Sequence, residues 1–155
     1  MITKQDLVGS WALESWSISY SDRQEVSAPY GENPQGLLLY SEEGWMSAAI
    51  NREDRARFPD GVSPRAMPPE PLAEAYGSYF HYAGRYRVSG GDIIHTVAQS
   101  LNPNFPGSEQ LRHAELNSHI LVLRGEDQAG GTTRSHALAW RRLPAATDEN
   151  VIEGR

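Results

Sequence analysis

Apolar and polar residues alternate along most of this chain in short runs, separated by Gly, Pro, Asn and Asp. A period of two with turn residues at regular intervals predicts an antiparallel barrel or sandwich. Ser10 to Ser19 sets Trp11, Leu13 and Ser15 on one face against Ala12, Glu14 and Trp16, so each face carries an aromatic residue. Gly36 to Ser41 is a compact apolar strand and Trp45 to Asn51 its returning arm. Between them Glu42-Glu43-Gly44 fits a tight turn in which glycine supplies a positive φ. Tyr82 to Val88 alternates Tyr82, Gly84, Tyr86 and Val88 with Ala83, Arg85 and Arg87, and Gly90-Gly91-Asp92 turns it into Ile93 to Leu101. Leu111 to Leu116, Ile120 to Arg124 and Thr132 to Leu143 follow, for a total of about eight to ten strands.

Other segments break the pattern. Gln5 to Val8 reads as a short helical lead-in, and Ser21 to Asn33 as a loop around a short strand. Arg52 to Pro71 is rich in Pro and in alternating charge, which keeps it out of a sheet interior because Pro lacks the ladder donor. It predicts an excursion, either a lid over a cavity mouth or a plain solvated loop. Leu72 to Phe80 has the helix formers for a turn or two. Residues 1–145 form one domain, and 146–155 a polar tail. The tail's Ile152-Glu153-Gly154-Arg155 matches a protease site of the kind appended to recombinant proteins.

Composition narrows the function. At 155 residues the chain holds one core or one small cavity, and its four Trp, seven Tyr and three Phe rule against disorder. The net charge of -6, with no block of Lys or Arg, argues against a nucleic-acid partner. Without cysteine there is no disulfide framework, thiolate nucleophile or Cys-based metal site. No apolar run suits a membrane span and no signal pattern opens the chain, so the expectation is a cytoplasmic protein, monomeric or homodimeric. His81, His95, His113, His119 and His136 form neither a His-x-His nor a helical His-x3-His pair, so no metal is expected. Gly90-Gly91 and Gly130-Gly131 fit hairpin turns, with no following helix to accept a phosphate.

Leu7-Val8-Gly9-Ser10-Trp11, with Leu13 and Trp16, resembles the opening strand of the bacterial and fungal lipocalin-like domain family. The resemblance continues through Gly36-Leu37-Leu38-Leu39-Tyr40, Gly44-Trp45-Met46-Ser47-Ala48 and Arg52 to Phe58. It then runs through Tyr82-Ala83-Gly84-Arg85-Tyr86 and His95 to Phe105, and ends on Ala139-Trp140-Arg141-Arg142-Leu143. It implies an all-β fold: a lipocalin-like up-and-down antiparallel β-barrel around a central cavity, here with one short helix and a Pro-rich loop. The family pattern tends to a second His and an acid where this chain has Thr96-Val97-Ala98-Gln99, which removes any chemistry built on those groups. The fold by itself implies no single activity.

Alternation nominates a lumen set. Ile93, His95, Val97 and Gln99 share one face, and Ile94, Thr96, Ala98 and Ser100 the other. The His95 face is the better lumen candidate, because a ligand cavity needs a few placed polar groups among apolar ones. By the same rule His136, Leu138 and Trp140 share a face, as do Arg112, Ala114 and Leu116, Leu38 and Tyr40, and Tyr82 and Tyr86. His95, Arg112 and Tyr82 are the candidate catalytic groups: an imidazole to move a proton, a guanidinium to hold an oxyanion, a phenol to donate to it. Tyr40, Trp45, Ser47, Tyr86, Gln99, His136 and Trp140 are the candidate ligand-binding residues. Arg112 could instead close the barrel through a buried pair with Glu14 or Glu115, Trp11 reads as a core plug at the narrow end, and Ser47 has no nucleophile signature.

Such a site suits a small apolar or aromatic metabolite and cofactor-free acid/base chemistry of the isomerase, cyclase, dehydratase or lactone hydrolase type, in secondary metabolism. A passive small-ligand carrier is the alternative. A barrel whose Trp side chains fill the lumen and which binds other proteins is the third.

Overall fold

In the computed structural model residues 1–147 are described. Nearly all of the polar tail, including the protease-like sequence, therefore lies outside the described residues. After helix α1 (Lys4–Leu7) come β1 (Gly9–Tyr20), β2 (Arg23–Ser27), β3 (Gln35–Tyr40) and β4 (Trp45–Asn51). Helix α2 (Pro69–Gly77) precedes β5 (Tyr79–Ser89), β6 (Asp92–Ser100), β7 (Glu109–Asn117), β8 (Ile120–Ala129) and β9 (Thr132–Arg142). All neighbours are antiparallel, and β9 pairs back along β1 from Trp11 to Tyr20. The result is a closed eight-stranded barrel with β2 as an extra strand on the far half of β1. Closure removes the exposed edges and leaves an interior that eight strands cannot fill with backbone alone.

One end is sealed. The Asp6 carboxylate accepts from the Thr3 N–H at 2.8 Å and from its hydroxyl at 2.7 Å, which fixes the start of α1. The helix delivers Leu7 into the barrel end, where both Leu7 and Trp11 are fully buried. The Trp11 indole N–H donates to Leu7 O at 2.9 Å. Arg142 then lies 4.1 Å from the Trp11 ring centroid and donates to the Val8 and Asp6 carbonyls. The hairpin turns after β3, β5 and β7 gather at this floor. The connections after β4, β6 and β8 lie at the opposite, open end.

Two β-bulges decide which residues face inward. On β1, Leu13 pairs with Trp140 and Ser15 with Ala139, so Glu14 is the extra residue. Inward parity switches there: Trp11 and Leu13 point in before the bulge, Trp16 and Ile18 after it. On β6, Ala83 pairs with Gln99 and Gly84 with Val97, leaving Ala98 extra. The expected face of Ile93, His95 and Val97 is inward, but Gln99 is thrown outward to an exposed position. Gly84 makes this bulge possible, because a Cβ there would stand 2.0 Å from Thr96 O.

The Pro-rich excursion packs on itself at the rim. Arg55 donates to Ser78 Oγ and Ala75 O, both at 3.1 Å, and ties the loop to α2. The expected helical turn lies a few residues earlier than Leu72 to Phe80, because Pro at the first positions suits a helix start and Phe80 is already in the sheet. No residue from 52 to 78 lines the main cavity, so a lid drawn from that segment has no cavity contact here.

Gly84→Ala should lower stability by about 2–3 kcal/mol, since backbone on the partner strand must move to admit one methyl group. Urea unfolding followed by tryptophan fluorescence measures this. An unchanged midpoint would refute the assignment of Gly84 as the partner of the Ala98 bulge.

Candidate functional site

The barrel encloses a cavity of about 620 Å³, within the range of small-molecule sites. Its wall is mostly apolar and includes Leu38, Ile50, Leu123 and Leu138. Phe80, Phe105, Pro29 and Trp16 border it toward the open end. Tyr30 stands edge-on to Trp16 at 5.0 Å and backs that side of the mouth.

His95 is 1% exposed and sits between two phenols. Its Nε2 is 2.7 Å from the Tyr40 hydroxyl and its Nδ1 2.7 Å from the Tyr82 hydroxyl. A neutral imidazole has one donor and one acceptor nitrogen, so one tyrosine donates to the ring and the other accepts from it. Exchange of the tautomer reverses both bonds without creating charge. Burial, assisted by the Arg112 charge, pushes the His95 pKa down to about 3. Burial raises both phenols, Tyr40 well above its usual value, with Tyr82 next in importance there; for Tyr82 the Arg112 charge acts in the opposite direction.

Arg112 on β7 lines the cavity. Gly125 on β8 gives its guanidinium room, since a Cβ at that glycine would come within 2.6 Å of Arg112 Nη1. Nη1 donates to Leu111 O at 2.9 Å. The alternative pairing of Arg112 with Glu14 or Glu115 does not occur. The Glu14 bulge points outward to Arg141 at 3.0 Å, and Glu115 faces Arg124 at 3.7 Å on the outer surface. Among the described residues no carboxylate lies within ion-pair distance of Arg112.

At the mouth the polar groups pair with one another, except for His136 Nε2. Trp16 Nε1 donates to His136 Nδ1 at 3.2 Å, which makes Nδ1 the acceptor and places the ring proton of the neutral form on Nε2. Nε2 faces Asp127 Oδ2 at 3.3 Å, without hydrogen-bond alignment. Arg134 grips the Asp127 carboxylate with two N–H groups and holds its pKa below the usual range. Burial lowers the His136 pKa despite the opposing pull of Asp127.

His95, Tyr82, Arg112, His136 and Trp140 thus share one cavity wall. Tyr40 stands behind His95, and Tyr86 packs on Tyr40 at 4.6 Å with its hydroxyl donating to Ser41 O, so neither borders the cavity. Trp45 and Ser47 lie on the outer face. Trp45 is 54% exposed, while Ser47 pairs with His81 Nε2 at 3.0 Å, because Met46, Ala48 and Ile50 take the inward positions of β4. Gln99 is outward by the bulge already described. Reading the sequence missed Trp16, Phe80, Phe105 and Gly125. The polar pair Glu14-Ser15 inside an alternating strand, and glycines at 84 and 125 inside strands, were the available signs.

His95 gives the site a defined pH response. Its folded pKa of about 3 lies below the ordinary value of 6.5, so the unfolded chain takes up the proton first as pH falls. Its share of stability is complete above pH ~6.5 and is lost progressively down to pH ~3, at no more than about 1.4 kcal/mol per pH unit. Denaturant unfolding at pH 7, 5 and 4 should show a smaller acid loss for His95→Gln than for wild type. A ring that titrates near pH 6.5 by NMR would contradict this.

No curated protein matches the chain. Among solved structures it is similar to a crystal structure of a mutant of the fluorescent protein UnaG. The identity is 12%, the TM-score 0.40, and the match covers 91% of this chain and 99% of that one. A family model described as a lipocalin-like domain matches residues 8–143. With nearly the whole barrel inside that match, the chain belongs to the lipocalin-like domain family.

Proposed function

We propose that this protein binds a small organic acid with a largely apolar body inside the barrel, with Arg112 holding the acid group. The observation that carries this reading is a lumen guanidinium without a carboxylate partner among the described residues, set in a mostly apolar cavity of about 620 Å³. A charge in that setting is costly until it is paired, and four of its five N–H donors are not used by Leu111. A carboxylate, enolate or phenolate accepts two of them in parallel. Tyr82, in the same wall, adds a neutral partner that can donate or accept according to the His95 tautomer. The coarse statement, a lipocalin-like barrel suited to a small ligand, follows from family and fold.

The Tyr82–His95–Tyr40 chain favours a second reading, cofactor-free proton transfer to or from a bound carbonyl compound, as an isomerase or cyclase would need. Its energetics favour binding over turnover. If Tyr82 gave its proton to a ligand oxygen and drew one through His95 from Tyr40, a buried Tyr40 phenolate would remain. Burial holds that phenol well above its usual pKa. His95, with a pKa of about 3, is also a weak base at neutral pH. The chain is therefore better suited to orienting a hydrogen bond than to completing a transfer.

Arg112→Met should weaken binding of a medium-chain carboxylic acid by about 10- to 100-fold and leave the matching primary amide within a few-fold of wild type. Isothermal titration of both compounds tests this. Equal losses for acid and amide, or no loss for either, would count against Arg112 as the acid's partner. If the Tyr82→Phe variant abolished turnover of a carbonyl substrate and left its binding intact, the catalytic reading would displace the carrier.

A further inference from the structure

One stretch of the outer wall departs from the rule that solvent-facing strand positions are polar. On the adjacent strands β1, β3, β4 and β5 the central outward residues are Ala12, Leu37, Leu39, Ser47, Ala49 and Ala83. In a chain that is 22% charged, none of these six carries a charge. Leu37 is 51% and Leu39 44% exposed, and Trp45, on the same face toward the floor, is 54% exposed. The two leucines stand as a ridge on β3, and the small residues of β4 form a groove beside it. The Ser47 hydroxyl already pairs with His81 Nε2 within the wall, so covering the groove strands no polar group there.

We propose that this face is a two-fold interface between copies of this chain, with the Leu37–Leu39 ridge of each seated in the Ser47–Ala49 groove of the other. The register supplies the reason for a second copy as the occupant. Leu37 pairs with Ala49; two residues from Ala49 toward the floor is Ser47, which pairs with Ala83, and two residues beyond Ala83 is Arg85. On its other side Leu37 pairs with Ala12, and two residues from Ala12 toward the mouth is Glu14. Glu14, Leu37, Ser47 and Arg85 therefore stand on one diagonal, a strand and two residues apart at each step, or about 8 Å. A two-fold axis crossing this diagonal at its centre lays Leu37 of each copy on Ser47 of the other, and Glu14 of each on Arg85 of the other. One operation matches ridge to groove and acid to base. Arg85 is exposed and has no carboxylate within ion-pair distance among the described residues. Glu14 meets Arg141 through Oε1, which leaves Oε2 for a second guanidinium. Two such pairs oppose the repulsion between copies that each carry a net charge of -6. Four strands by six residues give a footprint about 20 Å on a side, so joining two copies removes roughly 1,000 Å² from water, the low end for a specific interface. The dimer is accordingly weak, with a micromolar dissociation constant.

Sedimentation equilibrium of the full chain, from about 1 to about 200 µM, tests this. Wild type should pass from monomer to dimer across that range, and Leu37→Lys should stay monomeric throughout. Glu14→Arg and Arg85→Glu, made singly, should each weaken the dimer at least about tenfold, because each sets like charges against one another at both ends of the diagonal. The two together in one chain restore opposite charges across the two-fold, and should recover the dimer to within a few-fold of wild type. A wild type that remains monomeric at the highest concentration would overturn the proposal and leave the face to a different partner. A dimer that survives Leu37→Lys, or a loss in the single charge reversals that the double reversal does not recover, would overturn it as well. All three positions face outward, and the wild-type measurement and the charge reversals decide the matter even if Leu37→Lys does not fold.

Discussion

Closing β9 onto β1 forces every barrel strand to send alternate side chains into one shared interior, and the contents of that interior follow from where the alternation is reset. The reset at Glu14 brings Trp16 and Ile18 in beside His136. Without it the mouth would present Ser15 and Ser17 to the lumen, and the charge of Glu14 would stay on the register it leaves. The reset at Ala98 works in the opposite sense and ends the inward run of β6 after Val97. Both bulges lie in the half of the barrel where the cavity opens. Toward the floor the ladder continues without a shift and the interior is packed solid by Leu7, Trp11 and Ile93.

That division between a packed floor and an open upper half also sorts the polar groups. Those near solvent form ion pairs and hydrogen bonds with one another, as Trp16, His136, Asp127 and Arg134 do. The fully buried His95 is satisfied by two phenols, the least costly partners available to a neutral imidazole in an apolar setting. Arg112 escapes both solutions: it is a charged group on the cavity wall with no carboxylate within ion-pair distance among the described residues.

Much of this was legible in the sequence. The hairpin from Gly36 to Asn51, the inward set of β5 and the Leu138–Trp140 face follow directly from a period of two, and the floor role of Trp11 from its place beside the lead-in helix. Parity beyond a bulge was not legible, because one extra residue reverses every later assignment on that strand. Gln99 and Trp16 were misplaced for that single reason. Trp45 and Ser47 were misplaced for another: aromatic and hydroxyl side chains suit either face of a half-buried sheet, and only the neighbours Met46, Ala48 and Ile50 settle the direction. The partner of Arg112 could not be read at all, since the choice among Glu14, Glu115 and none depends on which side of the sheet each acid faces.

The unpaired Arg112 guanidinium also bears on the choice between a filled barrel and a ligand-binding one. Side chains that merely filled the interior would be expected to satisfy one another, as the floor of this barrel does through Trp11, Leu7 and Arg142. The upper half keeps a guanidinium beside an apolar middle built by Leu123 and Leu138. Replacing it with Leu would be the simpler route to stability, because an apolar substitute removes the desolvation cost altogether. Retaining a charged donor there is an expense that a ligand with a matching acceptor would offset on binding. Gly125 belongs to the same arrangement: its missing side chain supplies the room in which the Arg112 guanidinium lies.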